Sequence, residues 1–254
     1  MILGTADGNG SSSRTNRVVA ATVVGLKSYV RNPLLLAMFA FLPAYFLGVV
    51  SFLTPSAPMP VHLPGGGTTT ASLSTVYPVL LTPLVGALVG GFAGFFRTHA
   101  GRDADARLVL AGYRPAELIT ARLGLLAVVG ILVTGVSMGV LLVTLGPNRP
   151  AAIALATLFA ATTYGIVGAL VGTAVGRLPG VYLMLFGPSL DVFLFQNPAS
   201  TLDRPVELLP GHYPAALALE AQFGGGITVE TLGLAVAYLA VVTVVSVAFA
   251  RIRR

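Results

Sequence analysis

The feature that most limits the fold of this chain is a long run without charged side chains. Residues 32 to 96 contain no Asp, Glu, Lys or Arg. A helix needs about 20 apolar residues to cross roughly 30 Å of hydrocarbon. This run is therefore long enough for two crossings with a loop between them. Single crossings fit three further charge-free runs, at residues 123–148, 151–176 and 231–250.

The composition excludes both a water-soluble globule and a disordered chain. Of the 254 residues, 55% are hydrophobic and 9% are charged, whereas soluble domains carry about 25% charged residues. Such a chain has too few polar side chains to cover a soluble surface, and its apolar surface collapses or enters lipid. The absence of cysteine excludes disulfides and thiolate chemistry. The sequence predicts an all-α integral membrane protein.

Glycine and proline divide the apolar pattern into six expected transmembrane helices. Residues 54–75 are rich in Pro, Gly and Thr and are expected to form a loop. Tight turns are expected at residues 146–148 and 177–180, which also contain Gly and Pro. The six spans are expected at residues 34–52, 76–96, 118–145, 151–175, 178–195 and 228–250.

The positions of the cations indicate the orientation of these spans. Of the 15 Lys and Arg residues, two, Arg149 and Arg204, fall in loops on one side, and the other 13 fall on the opposite side. Cytoplasmic loops carry the excess of Lys and Arg, so both termini are expected in the cytoplasm, in a multi-pass protein of the cell membrane. Because topology explains the net charge of +6, no nucleic-acid partner is expected.

The residues before the first span divide into two parts. Residues 1–16 are polar and are expected to form a disordered cytoplasmic tail. Residues 17–31 are too short and too charged at their ends to span a membrane. We interpret them as an interfacial helix carrying Lys27, Tyr29 and Arg31, which lies along the inner leaflet and bends at Pro33. The alternative is a first span that begins early and tilts.

The polar segment 97–122 is expected to contain a break between two helices. Asp103 and Arg107 are spaced for a pair on one helical face. Gly112 can end that helix, and Pro115 can begin the next one with Glu117 near its positive end. The segment is either a solvated connection or a surface that docks into a partner.

Asp191 is a formal charge within the fifth expected span, at residues 178–195. An intramembrane carboxylate is costly and is by default a functional candidate, which binds a proton, a cation or a cationic substrate. The alternative is a structural role near a helix break, because Gly187 and Pro188 precede it.

Glycines at a spacing of four residues predict close helix packing. Packing within one subunit is the favoured interpretation, and a dimer contact or a gating surface is the alternative. The glycines concerned are Gly86, Gly90 and Gly94 on the second span, Gly135 and Gly139 on the third, and Gly168, Gly172 and Gly176 on the fourth and just beyond it.

The external segment, residues 199–227, contains a short apolar run that does not reach spanning length. Pro214 can open a short helix there and Gly224 can end it. This pattern indicates partial immersion at the outer face.

The order of these parts resembles the permease subunit of an ATP-binding-cassette (ABC) exporter of the type 2 class. The matching residues are LKSYVRNP at positions 26–33, the pair Leu42 and Pro43, and RDADARLVLAGYRPAEL at positions 102–118. The resemblance implies a single permease domain over residues 17–254, with short re-entrant helices before the last span.

The resemblance also implies a coupling segment at about residues 97–117 that seats in a cleft of a separate ATP-binding subunit. A second permease copy or a paralogue would complete the transporter, with ATP and Mg on the partner subunit and no cofactor on this chain. The coupling residues implied are Arg102, Asp103, Asp105, Arg107, Leu108 and Leu110.

An enzymatic function has little support in the sequence. There is no Walker-type phosphate loop. His62, His99 and His212 fall in separate loops and on both sides of the expected membrane, so no metal site is expected. Two alternatives to the exporter remain: a secondary carrier or channel driven by an ion gradient through Asp191, and a membrane scaffold without transport.

Overall fold

The computed structural model describes residues 23, 33–64, 66–110, 115–199 and 206–252, with 34–36, 100–110, 115–119 and 250–252 described through their backbone alone. The expected tail, residues 1–16, lies outside the described residues. The same is true of Lys27, Tyr29 and Arg31, so the interfacial helix stays a prediction.

The described chain is almost entirely helical. Helix α1 covers Pro33–Pro43 and continues through π-helical turns at Ala44–Val50 and a last α-helical turn at Ser51–Leu53. The elements that follow are β1 (Pro58–His62), β2 (Thr68–Ser72), α2 (Leu73–Leu110), α3 (Pro115–Thr144), α4 (Pro150–Ala174), α5 (Arg177–Leu190) with π-helical turns at Asp191–Phe195, a 3₁₀ turn at Val206–Leu208, α6 (His212–Phe223) and α7 (Val229–Ile252).

Five helices in the described part are long and apolar enough to cross a membrane. They are Leu73–His99, Thr120–Thr144, Pro150–Ala174, Arg177–Phe195 and Val229–Phe249. The first expected span, residues 34–52, is helical, but its apolar part, Ala37–Leu53, is shorter than these five. The helical membrane class is therefore supported by five spans, and the sixth stays a prediction.

Several helices present large apolar side chains on their outer faces. Val143 on α3 is 87% exposed and Val229 on α7 is 88% exposed. Phe186 on α5 and Val244 on α7 are exposed as well. Soluble monomers rarely expose such extended apolar surface to water. Contact with hydrocarbon carries no such cost, so these faces fit a lipid environment.

Helix α2 is the centre of the bundle, and α4 lies directly against it. In the spanning part of α2, 94% of the residues in the most apolar 18-residue stretch are buried. A Cβ atom on Gly86 would lie 2.8 Å from the carbonyl oxygen of Thr157 on α4, and Cβ atoms on Gly90 and Gly94 would meet the backbone of Ala161 and Gly165 even more closely. The glycines of α2 and α4 therefore serve packing within one chain, as the sequence favours. Gly135 and Gly139 on α3 face open space.

The expected loop at residues 54–75 contains a β-hairpin, so this expectation was wrong. Strands β1 and β2 are antiparallel, with Pro58 opposite Ser72 and His62 opposite Thr68. Gly66 and Gly67 have φ values of +85° and +95° and make the turn. Proline is tolerated because each strand of a two-stranded sheet is an edge strand. The Pro and Gly content concealed a strand pattern in the β-branched threonines.

The polar segment after the second expected span does not begin with a separate helix. Helix α2 continues without interruption from Leu73 to Leu110, so the charged residues at the start of the polar segment extend the central helix of the bundle. Helix α3 begins at Pro115, as expected for proline at the first position. Gly112 lies outside the described residues.

Candidate functional site

Asp191 is buried, and its carboxylate accepts three hydrogen bonds. The donors are the hydroxyl of Tyr164 on α4, the Nε2 amide of Gln196 at 3.1 Å from Oδ1, and the backbone N–H of Gly211 at 2.7 Å from Oδ2. The side chain of Asp191 is 5% exposed. Three donors from separate parts of the chain satisfy a charge that would otherwise be costly to bury.

A local helix distortion places Asp191 at this position. Pro188 lies inside α5 and has no N–H to donate to the preceding turn. The helix widens to π-helical turns from Asp191, where the N–H of Gln196 bonds to the carbonyl oxygen of Asp191 at 3.0 Å. Such π-helical turns are frequent at functional sites. The helix break expected from Gly187 and Pro188 is thus a widening of the helix rather than an end.

The beginning of α6 approaches the carboxylate so closely that it requires glycine. A Cβ atom on Gly211 would lie 2.8 Å from Oδ2 of Asp191. The next residue, His212, extends the network, because its Nδ1 lies 3.0 Å from Oε1 of Gln196. A continuous chain of hydrogen bonds therefore runs from Tyr164 through Asp191 and Gln196 to His212.

The aromatic residues beside this network join α6 to α7. The ring of Tyr213 lies 5.0 Å from that of His212 and 5.4 Å from that of Tyr238 on α7. The hydroxyl of Tyr238 donates to the carbonyl oxygen of Leu208 at 2.9 Å. The Asp191 network thus lies where α4, the π-helical turns, α6 and α7 meet.

A second buried carboxylate, Glu220 on α6, anchors the start of α7. It is 3% exposed. Its oxygens accept from the N–H of Thr228 at 3.0 Å and from the hydroxyl of Thr231 at 2.6 Å. The hydroxyl of Thr228 also accepts from the N–H of Thr231 at 3.1 Å, which caps the helix. Glu220 therefore links α6 to the first turn of α7.

Most of the residues around Asp191 were not predicted from the sequence. Tyr164 is the only tyrosine of α4, and a hydroxyl in the middle of an apolar span is a signal that could have marked it. Glu220 is likewise the only charge in the apolar run 215–223. Two of the three partners of Asp191, Tyr164 and Gly211, lie 27 residues before it and 20 residues after it, and no local pattern predicts such pairings.

The expected coupling residues lie on the last turns of α2, where the backbone is helical. They are Arg102, Asp103, Asp105, Arg107, Leu108 and Leu110. This segment is remote in sequence from the Asp191 network and belongs to the end of α2 opposite the hairpin.

Two of the three histidines line one cavity, although they are 150 residues apart in the sequence. His62 on β1 and His212 on α6 border a partly open cavity of about 210 Å³. His99 lies on α2, where its ring packs against Phe95 at 4.6 Å. In the described part of the chain, no group of three or more His, Cys, Asp or Glu side chains could hold a metal ion.

Comparison with family models, with curated proteins and with solved structures gives no match for this chain.

The His212 imidazole is expected to make folding stability depend on pH. Burial lowers its pKa below the ordinary value of 6.5, against the opposing effect of Glu207 and Asp191. The unfolded chain then takes up a proton at a higher pH than the folded chain, so the stabilisation present above pH 6.5 falls as the pH drops below that value.

The substitution His212→Asn preserves a donor near Nδ1 and removes the titration. We expect thermal unfolding of the purified protein to show a steeper loss of stability between pH 7.5 and pH 5.5 in the wild type than in this variant. Parallel curves for the two proteins would contradict the assignment.

Proposed function

We propose that the chain is the membrane-spanning permease subunit of an ABC transporter of the type 2 exporter class. In this proposal six helices span the cell membrane, with α1 as the first, both termini are cytoplasmic, and α6 is a re-entrant helix before the last span. Two permease chains act with two copies of a separate subunit that binds ATP and Mg. The proposal is supported most by the form of α2.

Helix α2 links the bundle core to a charged segment without a break. Its 38 residues are about 57 Å long at about 1.5 Å per residue, whereas hydrocarbon is about 30 Å thick. The apolar part ends near His99, so the residues from 100 to 110 extend beyond the layer. A displacement of this charged end is transmitted directly to the most buried of the five described spanning helices.

The continuous helix α2 suits coupling between an ATP-hydrolysing partner and a substrate path. Coupling requires that the state of the ATPase and the affinity for substrate bias the same equilibrium. Because α2 packs backbone to backbone against α4 through Gly90 and Gly94, a tilt of α2 moves α4 with it. The Asp191 network, which includes Tyr164 of α4, follows that motion.

The alternative of an ion-driven carrier that uses Asp191 has less support from the geometry. All three hydrogen bonds to the carboxylate come from within the protein. A transported ion would therefore have to displace these donors.

Charge reversal in the coupling segment tests the exporter proposal. We expect Asp103→Lys to reduce the amount of ATP-binding subunit recovered with the purified chain about tenfold, because a misplaced charge at a docking surface costs more than 1 kcal/mol. Glu230→Lys is the matched control, since it makes the same change of charge at an exposed position at the start of α7. Equal recovery with both variants would contradict the coupling assignment.

A further inference from the structure

The cavity beside the Asp191 network is lined by both polar and apolar residues. We call it the imidazole cavity. Its polar lining is His62, Gln196, Asn197 and His212, and its apolar lining includes Leu63, Phe195 and Leu219. Pockets with mostly apolar walls and a few placed polar groups are typical of small-molecule sites.

The hydrogen-bond partners define the tautomers of both histidines. Nδ1 of His62 lies 2.9 Å from the carbonyl oxygen of Pro198, and a carbonyl oxygen can only accept. Nδ1 therefore carries the hydrogen, and Nε2 of the neutral ring keeps its lone pair.

The orientation of the Gln196 amide defines the tautomer of His212. Nε2 of Gln196 donates to Asp191, so the amide atom that faces His212 is the oxygen Oε1, at 3.0 Å from Nδ1. Nδ1 of His212 is therefore the donor, and its Nε2 keeps a lone pair. Within the described residues, neither Nε2 atom forms a hydrogen bond.

The charged groups described near the cavity are negative. Glu207 and Asp191 both act electrostatically on His212. The three hydrogen bonds to Asp191 come from a hydroxyl, an amide and a backbone N–H, all neutral, so they stabilise its charge without cancelling it. Both imidazoles line the cavity, and the ring nitrogen that each has left to accept a hydrogen bond is Nε2. Together with the negative charges, these lone pairs favour a positively charged hydrogen-bond donor.

We propose that the imidazole cavity binds a small organic cation, with an ammonium head that donates to Nε2 of His62 and His212 and a short alkyl chain that lies against Phe195. This proposal concerns binding alone and is independent of ATP-driven transport. A zinc ion is less well matched, because it needs its ligand atoms about 2.0–2.1 Å from one point and usually four of them, and the two imidazoles have no third acidic or imidazole partner among the described residues.

Three ligands of equal chain length test the proposal on the purified full chain in detergent. We expect n-butylammonium to bind, as measured by calorimetry at pH 7.5, and n-butyrate and n-butanol to bind at least about tenfold more weakly. Equal binding of all three would show a merely apolar pocket and overturn the proposal. Zinc binding without n-butylammonium binding would also overturn it.

Substitution of each imidazole by an asparagine side chain locates the site. The variants His62→Asn and His212→Asn retain a donor near the position of Nδ1 and remove Nε2. We expect each variant to lower n-butylammonium affinity about tenfold. His62→Asn alone suffices if the other variant unfolds, because the hydrogen bond of the His62 ring goes to Pro198 and not to Asp191 or Gln196. Unchanged affinity in His62→Asn would overturn the proposal.

Discussion

Gly90→Ala is expected to destabilise the helix bundle by about 3 kcal/mol, at the upper end of the cost of overpacking a core. The added methyl group would meet the backbone carbonyl group of Ala161 on α4. Backbone atoms cannot rotate away as a side chain can, so α2 and α4 must separate along the contact that holds the centre of the bundle. Thermal unfolding of the purified protein in mild detergent measures the loss.

Gly135→Ala is the matched control for this prediction. It makes the same chemical change on α3, where no atom lies within 4 Å of the added Cβ. We expect the control to unfold within a few degrees of the wild type, because small residues matter only where helices approach each other closely. An equal loss of stability in both variants would contradict the packing of α2 against α4.

Asp191→Asn is expected to destabilise the junction of α4, α5 and α6 by about 1.5–3 kcal/mol, the contribution of one hydrogen bond to a charged group. The carboxylate accepts three hydrogen bonds. An asparagine amide replaces one acceptor oxygen by an NH₂ group, which then faces a donor. The unfolding temperature of the variant measures the effect, and any transport activity should fall with it.

Two further variants distinguish the loss of hydrogen bonds to Asp191 from a general effect of removing a negative charge. Tyr164→Phe removes one donor and leaves Asp191 charged, so we expect a smaller but clear loss. Glu230→Gln neutralises an exposed carboxylate at the start of α7 and should leave stability unchanged. A wild-type unfolding temperature for Asp191→Asn would show that this carboxylate does not anchor the junction.

The helices could be predicted from the sequence because their signals are local. Long apolar runs mark the spans, and glycine and proline mark their ends. Gly146, with φ of +62°, makes the turn before α4, and α4 begins at Pro150, one residue before the expected start. The spacing of Gly86, Gly90 and Gly94 also predicted a packing face, although not that α4 would be its partner.

The candidate site could be predicted only in part, because its contacts join distant residues. Asp191 was recognisable as a charge within an apolar span. Its donors Tyr164 and Gly211 belong to other parts of the chain, and their approach depends on how α4 and α6 pack.

The hairpin was concealed for a different reason. Its strands contain proline and its turn contains glycine, so local composition indicated a loop. His62 and His212 come together only because that hairpin reaches the loop after the π-helical turns, where the N–H of His62 bonds to the carbonyl oxygen of Pro198 at 2.9 Å.

The proposed transporter requires that this chain work with a separate ATP-hydrolysing subunit. The most direct test is purification of the tagged full chain from its native membrane in mild detergent, followed by quantitative mass spectrometry of the proteins recovered with it. We predict one soluble protein with a phosphate-binding loop in a one-to-one ratio with the chain. Recovery of the chain alone, as a stable protein in several mild detergents, would contradict the proposed assembly.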